Sequence, residues 1–394
     1  MFTAKTLSFG SLKIQTPCKL FDLNGLNIGQ ISPLKSLDTS LFESVKILER
    51  SHLVSPETFC QAADDSNPNL LKNYLKLKQD SLFKNKLLIN TLTLEFNPYN
   101  ISDADEYIES LMALYHGRSD LLLIPNLKIQ KYVSLPHQKF YKETITSQED
   151  YVQFVDTAYE NLKFRNSKPI FIPLPLKYGN RRFTSILDSY LSKGYRNFWI
   201  DFEGGSELSK TQFIRSYHKK VADMKLEEEV VLYGSNIRRE QHPRREEIAC
   251  LAGDILSAPL GIDIIGVNRE PKAWPGKNPP QKTLSDAEKM EYKGRMLDRK
   301  SYMYMHHSEH ANHDGLLKKY HISQDQIAQA PKFFSSVINT FEMNEEFKFN
   351  RETIDEKGSI MSYLEGKKTI DETTLKGFKK IEKKSKSVSL DDFF

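Results

Sequence analysis

Residues 197–202 read Asn-Phe-Trp-Ile-Asp-Phe, a short run of aromatic and β-branched residues that Gly204 and Gly205 follow closely. A run of this length and composition is typical of a strand buried on both faces of a parallel sheet. The middle of the chain holds four further runs of the same kind, at 121–125, 169–176, 230–233 and 263–267. We therefore predict five buried parallel strands.

Amphipathic helical patterns separate these runs, at 149–162, 183–191 and 208–224. The alternation of strand and helix is that of βαβ units, which build either an open doubly wound sheet or a closed barrel. No G-x-G-x-x-G sequence follows any run, which weakens the dinucleotide-binding version of the open sheet. We favour an α/β fold of the (β/α)8 TIM-like barrel type, with a helical appendage and a flexible C-terminal tail.

The rest of the chain is assigned from weaker patterns. We predict strands at 12–15, 19–23 and 87–96, helices at 55–63 and 244–256, and a loop at 269–280. Six lysines within 376–386 indicate a flexible basic linker. The predicted organisation is a barrel with its appendage over 1–340, a charged helical or linker region over 341–386, and a tail over 387–394.

The composition allows a large core and excludes few partners. The 394 residues carry 56 Lys and Arg against 52 Asp and Glu, so any polyanionic partner has to be bound by local basic patches. Three widely separated cysteines, with no C-x-x-C pair, exclude a cysteine-rich zinc site and fit a reducing compartment. No apolar run reaches 18 residues and no signal-peptide pattern is evident, so we expect a soluble, cytoplasmic protein.

Two carboxylates lie at the end of the first run, one within it and one directly after it. Side chains at i and i+2 of a strand share a face, so we expect Asp201 and Glu203 to point the same way. Two carboxylates in one pocket repel, which raises the pKa of one of them and suits acid–base or nucleophilic chemistry. Gly204 and Gly205 would let a flat ligand approach the backbone and use its N–H groups. The alternative is an acid pair bridged by arginines at an ordinary turn.

Asp263 opens an otherwise apolar run. A buried carboxylate needs partners, so Asp263 is either structural, bonded to nearby donors, or catalytic. Asn268, at the far end of the same run, is better placed to contact a ligand.

Five histidines lie within residues 306–321. His306, His310 and His313 have the i, i+4, i+7 spacing that one helix face collects, and zinc accepts three histidines plus water. We favour the alternative, a helix that carries partly solvated imidazoles, and predict no metal.

The last eight residues, Ser-Val-Ser-Leu-Asp-Asp-Phe-Phe at 387–394, place two adjacent aromatics after a basic segment. Leu390 and Phe393, at i and i+3, can form one face of a helical turn that docks in a groove of a partner. The alternative is a tail that folds back on its own domain.

Four segments, in order along the chain, resemble motifs of the tRNA-guanine transglycosylase family. Gly-Ser-Leu-Lys-Ile-Gln-Thr-Pro at 10–17 is similar to its opening G-x-[IV]-x-T-P, and Phe-Glu-Gly-Gly at 202–205 to its A-I-G-G strand end. Residues 230–268 resemble its strand–helix–G-x-D-[LM]-F-D segment. Tyr-Met-His-His-x-x-His-Ala-Asn at 304–312 resembles its Y-L-H-H-x-x-K-A-N helix.

The resemblance implies a barrel enzyme that exchanges guanine for a 7-deazaguanine in nucleic acid. In that family one Asp attacks the sugar C1′ and a second Asp handles protons. Three features depart from the family. Its nucleophile position is Gly266 here, its D-S-G-[GS]-F-Q motif has Asp22 as the nearest candidate, and its zinc cysteines are absent, so we predict no cofactor. Either the nucleophile has moved, or the chain is a non-catalytic nucleic-acid-binding relative.

The tail resembles the PCNA-interacting peptide, Q-x-x-[LIM]-x-x-F-F, with Ser387 in place of Gln. A tether to this sliding clamp implies DNA as the substrate, with tRNA as the alternative. The residues expected to bind the clamp are Ser387, Leu390, Phe393 and Phe394. The expected catalytic residues are Asp201, Glu203, Asp263 and Asp22. Those expected to bind the base are Gly204, Gly205, Asn126, Gly234, Ser235 and Asn268. Those expected to contact phosphates are Arg238, Arg239, Arg244, Arg245, Arg269 and Lys272.

Overall fold

The protein, seen in a computed structural model, is a mixed α/β molecule. The structure describes residues 4–9, 12–24, 45–61, 85–133, 141–165, 168–206, 208–241, 249–268, 294–306, 309–367 and 369–385. The chain forms two compact units. Unit 1 comprises Met1–Lys46, Phe202–Glu228 and Gly234–Phe394, and unit 2 comprises Ile47–Asp201 and Glu229–Tyr233.

The strands in the described part of the chain are short. They are β1 (Thr6–Phe9), β2 (Leu12–Gln15), β3 (Cys18–Lys19), β4 (Phe21–Asp22), β5 (Ile47–Val54), β6 (Leu87–Leu94), β7 (Leu122–Leu123), β8 (Asn126–Leu127), β9 (Gln130–Val133), β10 (Tyr141–Thr144), β11 (Ile170–Pro173), β12 (Asn197–Asp201), β13 (Val231–Ser235), β14 (Glu240–Gln241), β15 (Ala249–Ala252), β16 (Ile264–Ile265), β17 (Arg295–Asp298) and β18 (Met303–His306).

The helices range from one turn to more than seven. They are α1 (Pro56–Cys60), α2 (Ala104–His116), α3 (Gln148–Phe164), α4 (Asn180–Ser192), α5 (Thr211–Asp223), α6 (His313–Lys319), α7 (Gln324–Gln329), α8 (Pro331–Lys357), α9 (Met361–Glu365) and α10 (Glu372–Ser385). Short 3₁₀ segments occur at Pro98–Asn100, Leu208–Lys210 and Ile255–Leu260.

A six-stranded parallel sheet contains all five runs that the sequence predicts as buried strands. Its strand order is β3-β16-β13-β12-β11-β7. Phe198, Trp199 and Ile200 in β12 have no exposed surface, as expected for a strand covered on both faces. The prediction of five buried parallel strands is therefore confirmed.

A second sheet has four strands in the order β4-β5-β6-β8. β5 and β6 pair in parallel along eight residues each, from Ile47 opposite Leu87 to Val54 opposite Leu94. These strands confirm the prediction at 87–96, and β2 confirms the prediction at 12–15.

A four-stranded antiparallel sheet, β14-β15-β18-β17, belongs to unit 1. It overturns the predicted helix at 244–256, because Ala249–Ala252 is a strand paired with β18 and Ile255–Leu260 is a 3₁₀ segment. Burial alternates along β15, with Cys250 and Ala252 inward, which is the period of a strand rather than of a helix.

The helices of the central region begin and end close to their predicted positions. Ser147 starts α3 by accepting a hydrogen bond from the Asp150 N–H at 3.0 Å, and Ser55 starts α1 in the same way, with Pro56 as its first residue. The predicted helices at 149–162 and 183–191 are confirmed as α3 and α4. No helix within the described ranges is long and apolar enough to cross a membrane.

The C-terminal region is more ordered than the sequence predicts. α8 continues through residue 340, and the basic segment is helical as far as Ser385. The prediction of a flexible linker over 376–386 is therefore wrong for its described part. Leu375 and Phe378, at i and i+3, interrupt the lysines with an apolar stripe, and Phe378 is 2% exposed where α10 packs against α5 within unit 1.

Candidate functional site

Asp201 is the last residue of β12, at the carboxyl end of a parallel strand, and only 9% of its surface is exposed. In the same unit, the Tyr151 hydroxyl donates a hydrogen bond to Asn126 Oδ1 at 3.0 Å. Burial raises the pKa of Tyr151 well above its usual value, and Tyr190, Tyr178 and Asp201 raise it further. Unit 2 thus holds the predicted residues Asn126 and Asp201 around one buried phenol.

The predicted pairing of Asp201 with Glu203 on one strand face is wrong. β12 ends at Asp201, and Glu203 adopts a left-handed backbone conformation, with φ of 52°. Its side chain is exposed, whereas that of Asp201 is nearly buried. The i, i+2 rule applies only while the chain stays extended, and here the chain turns one residue after the strand.

The two glycines of this turn do not offer their N–H groups to a ligand, which corrects a second prediction. The Gly204 N–H donates to the Asn236 carbonyl and the Gly205 N–H to the Phe202 carbonyl, both at 2.8 Å. A Cβ at Gly205 would lie 2.9 Å from the Phe202 oxygen, so glycine is needed there to close the turn. Their role in the described structure is to shape the backbone.

Arg238, which lies shortly after the end of β13, stabilises the same turn with two hydrogen bonds. Its main-chain N–H donates to the Gly205 carbonyl at 2.9 Å, and its Nε donates to the Gly204 carbonyl at 3.0 Å. The side chain is exposed, so the guanidinium remains accessible to an anion while it caps the turn.

Gly234, predicted to bind the base, serves the packing of the strand in which it lies. A Cβ at this position would lie 3.0 Å from Ile237 Cδ1 and 3.1 Å from Ile262 Cγ2. Ser235 is fully buried, and its carbonyl accepts a hydrogen bond from the Phe202 N–H at 2.9 Å. The end of β13 is therefore tightly packed.

Asp263 lies at the amino end of β16. The sequence leaves open whether its role is structural or catalytic, and its contacts favour a structural role. The Lys5 ammonium is 3.4 Å from Oδ2, and the Thr16 hydroxyl donates to Oδ1 at 3.4 Å. The side chain of Asp263 is 6% exposed and that of Lys5 is 10% exposed. Active sites of parallel α/β folds form at the carboxyl ends of strands, which is the other end of β16.

At that carboxyl end the structure brings together a charged cluster, of which the sequence analysis names Arg239 alone as a candidate. The Lys19 ammonium donates to the Gly266 carbonyl at 2.7 Å and lies 3.5 Å from Asp254 Oδ2. The Tyr304 hydroxyl donates to Asp254 Oδ1 at 2.9 Å, and the Arg239 guanidinium lies over the Tyr304 ring, 5.2 Å from its centre. For Lys19 the signal in the sequence is a lysine at the start of the strand predicted at 19–23.

Asp254 itself is 1% exposed. Burial raises the pKa of its carboxyl group, while Lys19, Arg239 and the Tyr304 hydroxyl lower it. Asn344 fixes Lys19 by accepting from its N–H at 2.8 Å and donating to its carbonyl at 3.1 Å. Among the described groups at this end of β16, two cations lie near one buried carboxylate.

The remaining predicted residues are only partly described. Asp22 Oδ1 accepts a hydrogen bond from the Asn24 N–H at 2.7 Å, which caps a local turn, and Asn268 is half-buried after β16. The other predicted phosphate and clamp contacts lie outside the described residues. They are Arg244, Arg245, Arg269, Lys272, Ser387, Leu390, Phe393 and Phe394.

The histidine segment is not a helix at its start, so the predicted shared helix face is wrong. His306 ends strand β18, and α6 begins only at His313. His310 is 8% exposed, and its Nδ1 accepts a hydrogen bond from the Asn312 N–H at 3.2 Å. Within the described residues, no group of three His, Cys, Asp or Glu side chains is placed to hold a metal ion.

No protein-family model matches the sequence, and no curated protein matches it at a significant level.

Proposed function

We propose that this chain is a DNA-guanine transglycosylase, which exchanges guanine for a 7-deazaguanine base and is tethered to a sliding clamp. The observation that carries the proposal is Asp201, a nearly buried carboxylate at the carboxyl end of a parallel strand, where folds of this class bind and transform their substrates. The resemblance of four segments to the transglycosylase motifs supplies the reaction.

The proposal includes a closed barrel. β3 and β4 are separated by Leu20 alone, and β7 and β8 by two residues. Treating each pair as one bent strand joins the two sheet orders into a single ring of eight strands, in the order of the chain. This ring is the arrangement that a (β/α)8 barrel requires.

The proposed reaction has two displacements at one carbon. The Asp201 carboxylate attacks C1′ of the target nucleotide, the C1′–N9 bond breaks, and guanine leaves with the bonding electrons and takes up a proton. The incoming 7-deazaguanine then attacks C1′ with its ring nitrogen, loses a proton, and releases the carboxylate. These two proton transfers need a group that donates a proton to the leaving guanine and accepts one from the incoming base.

Asn126 is the proposed contact to the base. The Tyr151 hydroxyl donates to its Oδ1, which fixes the orientation of the amide and leaves two N–H donors on Nδ2. A purine carbonyl oxygen is an acceptor that such a group recognises. Because the target base has to leave its stack to reach a strand end, the substrate binds in a flipped conformation.

Binding of the nucleic-acid backbone is assigned to the cations of unit 1. Lys19 and Arg239 together exceed the charge of Asp254, and Arg238 is exposed on the neighbouring turn. These groups supply the local basic patch that a net charge of +4 does not supply by itself.

The experiment is incorporation of a radiolabelled 7-deazaguanine into duplex DNA, with tRNA as a parallel substrate. We expect label in DNA with the parent protein and none with Asp201→Asn. Asp223→Asn, an exposed aspartate at the end of α5, is the matched control and should retain activity. Label in tRNA alone would favour the tRNA alternative, and no label in either would refute the enzyme.

A second function has one observation in its favour, Gly266 at the position of the family nucleophile. It is a non-catalytic subunit that binds nucleic acid through the same cations. This function predicts DNA binding that weakens steeply with salt and no covalent adduct under any condition.

A further inference from the structure

Unit 2 contains a cavity of about 300 Å³ at the amino ends of β11 and β12. It is separate from the proposed catalytic end, because β12 runs from Asn197 in the cavity wall to Asp201, a distance of about 13 Å at 3.3 Å per residue. The polar and aromatic residues that line it are Tyr159, Lys163, Lys168, Tyr195, Arg196 and Asn197.

The cations of this wall retain donors after their contacts within the described residues are counted. Lys168 Nζ donates to the carbonyls of His116, at 2.6 Å, and Ser119, at 2.8 Å, which leaves one of its three N–H groups. These two bonds hold the ammonium group in place. A fixed cation with a remaining donor is suited to binding an anion, because little side-chain entropy is lost on binding.

Arg196 is fixed in a similar way. Its Nη1 donates to the carbonyls of Leu191, at 3.2 Å, and Tyr195, at 3.0 Å, and its Nε donates to Glu229 at 3.1 Å. The two N–H groups of Nη2 remain for a ligand. Lys163 adds a third positive charge beside the ring of Tyr159, with its Nζ 5.8 Å from the ring centre.

The nearby carboxylates do not cancel this charge inside the cavity. Among the described residues that line it, none is acidic. Asp156 accepts from Lys193 at 2.6 Å and from the Tyr195 hydroxyl at 3.2 Å, and Glu229 is paired with Arg196. Glu160 lies near Tyr195. Counting Lys193, these named residues comprise four cations and three carboxylates.

We propose that this cavity binds a phosphate monoester, with the phosphate between Lys163, Lys168 and Arg196. The volume accommodates a ligand as large as a nucleoside monophosphate. The rings of Tyr159 and Tyr195, with centres 4.3 Å apart, form the aromatic part of the wall against which a flat group of such a ligand would lie. This site is independent of the base-exchange proposal and would exist in either function considered above.

The test is isothermal titration calorimetry of the full chain at constant ionic strength with inorganic phosphate, with a nucleoside monophosphate, and with the nucleoside that lacks the phosphate. We expect both phosphates to bind with a dissociation constant of about 1 mM or lower, and the nucleoside to bind more weakly. Tighter binding of the nucleotide than of inorganic phosphate would indicate that the base packs against the aromatic wall.

Lys163→Gln is the variant of choice because Lys163 is exposed and makes no described hydrogen bond to the main chain. It should weaken phosphate binding about fivefold, whereas Lys219→Gln, at an exposed lysine of α5, should leave binding unchanged. Three results would overturn the proposal. They are no phosphate binding at a ligand concentration 20-fold above the expected dissociation constant, the same phosphate affinity for Lys163→Gln as for the parent protein, and the same affinity for the nucleoside as for the nucleotide.

Discussion

Replacing Lys5 by methionine tests whether Asp263 stabilises the fold or takes part in the proposed base exchange. The Lys5 ammonium lies 3.4 Å from the Asp263 carboxylate, and the two side chains are 10% and 6% exposed. Methionine keeps the aliphatic stem and removes the charge, so a carboxylate that is almost excluded from water loses the ammonium group that lies 3.4 Å from it. The Thr16 hydroxyl, also 3.4 Å from the carboxylate, carries no charge and does not replace the ammonium group.

The magnitude follows from the burial and the length of the pair. Removing one partner of a fully buried ion pair costs about 3–5 kcal/mol, because the remaining charge is left without compensation. The pair here is longer than the 2.7–2.9 Å of a strong charged hydrogen bond, and Lys5 keeps some contact with water. We therefore expect Lys5→Met to lower the free energy of unfolding by about 2–3 kcal/mol.

Urea denaturation followed by circular dichroism measures this loss. Lys13→Met, at an exposed lysine of the adjacent β2, is the control and should cost less than about 0.5 kcal/mol. The double variant Lys5→Met with Asp263→Leu should recover most of the loss, since no unpaired charge remains. A Lys5→Met protein as stable as the parent but inactive in base exchange would refute the structural assignment of Asp263.

Three further predictions test other parts of the account. Gly234→Ala should lower the free energy of unfolding by about 1–3 kcal/mol, because its Cβ would lie 3.1 Å from Ile262 Cγ2 in a packed core; a variant with unchanged thermal stability would contradict the packing role. Burial lowers the pKa of His52 from 6.5 to about 4, so the folded state keeps a neutral imidazole that the unfolded state protonates. The contribution of His52 to the free energy of unfolding is fully present above pH 6.5, and up to about 3 kcal/mol of it is lost as the pH falls towards 4. In urea titrations across that range, the free energy of unfolding of His52→Gln should fall clearly less than that of the parent protein. Deleting residues 387–394 should abolish capture by a sliding clamp without changing the circular dichroism spectrum, and undiminished capture would remove the reason for preferring DNA to tRNA.

The parts of the fold that the sequence predicts are those decided by local composition. The run at 197–202 and its four counterparts are strands because an uninterrupted apolar segment of this length has to be buried on both faces. The pattern at 149–162 is helical because its apolar residues recur every three to four positions, and Ser147 marks where the helix begins.

The errors occur where pairing with distant segments decides the outcome. Ala249–Ala252 is compatible with helix or strand, and it is a strand because β18, some fifty residues later, is its neighbour. Pairing of β18 with β17, in which Arg295 lies opposite His306, makes His306 a strand residue and separates it from the helix that begins at His313. The many lysines led to the prediction of a linker, although Leu375 and Phe378 form an apolar stripe that stabilises α10.

In the candidate site too, local sequence predicts some residues, whereas contacts between distant segments place the others. Asp201 is found from the sequence because it lies near the end of a predicted strand, and it is the last residue of the observed one. Glu203 is not placed correctly, since a left-handed residue breaks the alternation on which the prediction rests. The Lys19–Asp254 pair joins residues that are far apart in the sequence, and only the three-dimensional structure brings them to one strand end.

Trapping of a covalent protein–DNA adduct is the most direct test of the claim that Asp201 acts as a nucleophile. The parent protein would be incubated with guanine-containing duplex DNA, denatured, and analysed by mass spectrometry with peptide mapping. We predict a glycosyl ester on the peptide that contains Asp201, absent from a folded Asp201→Asn variant. An adduct on a different residue, or an adduct that survives this substitution, would contradict the account.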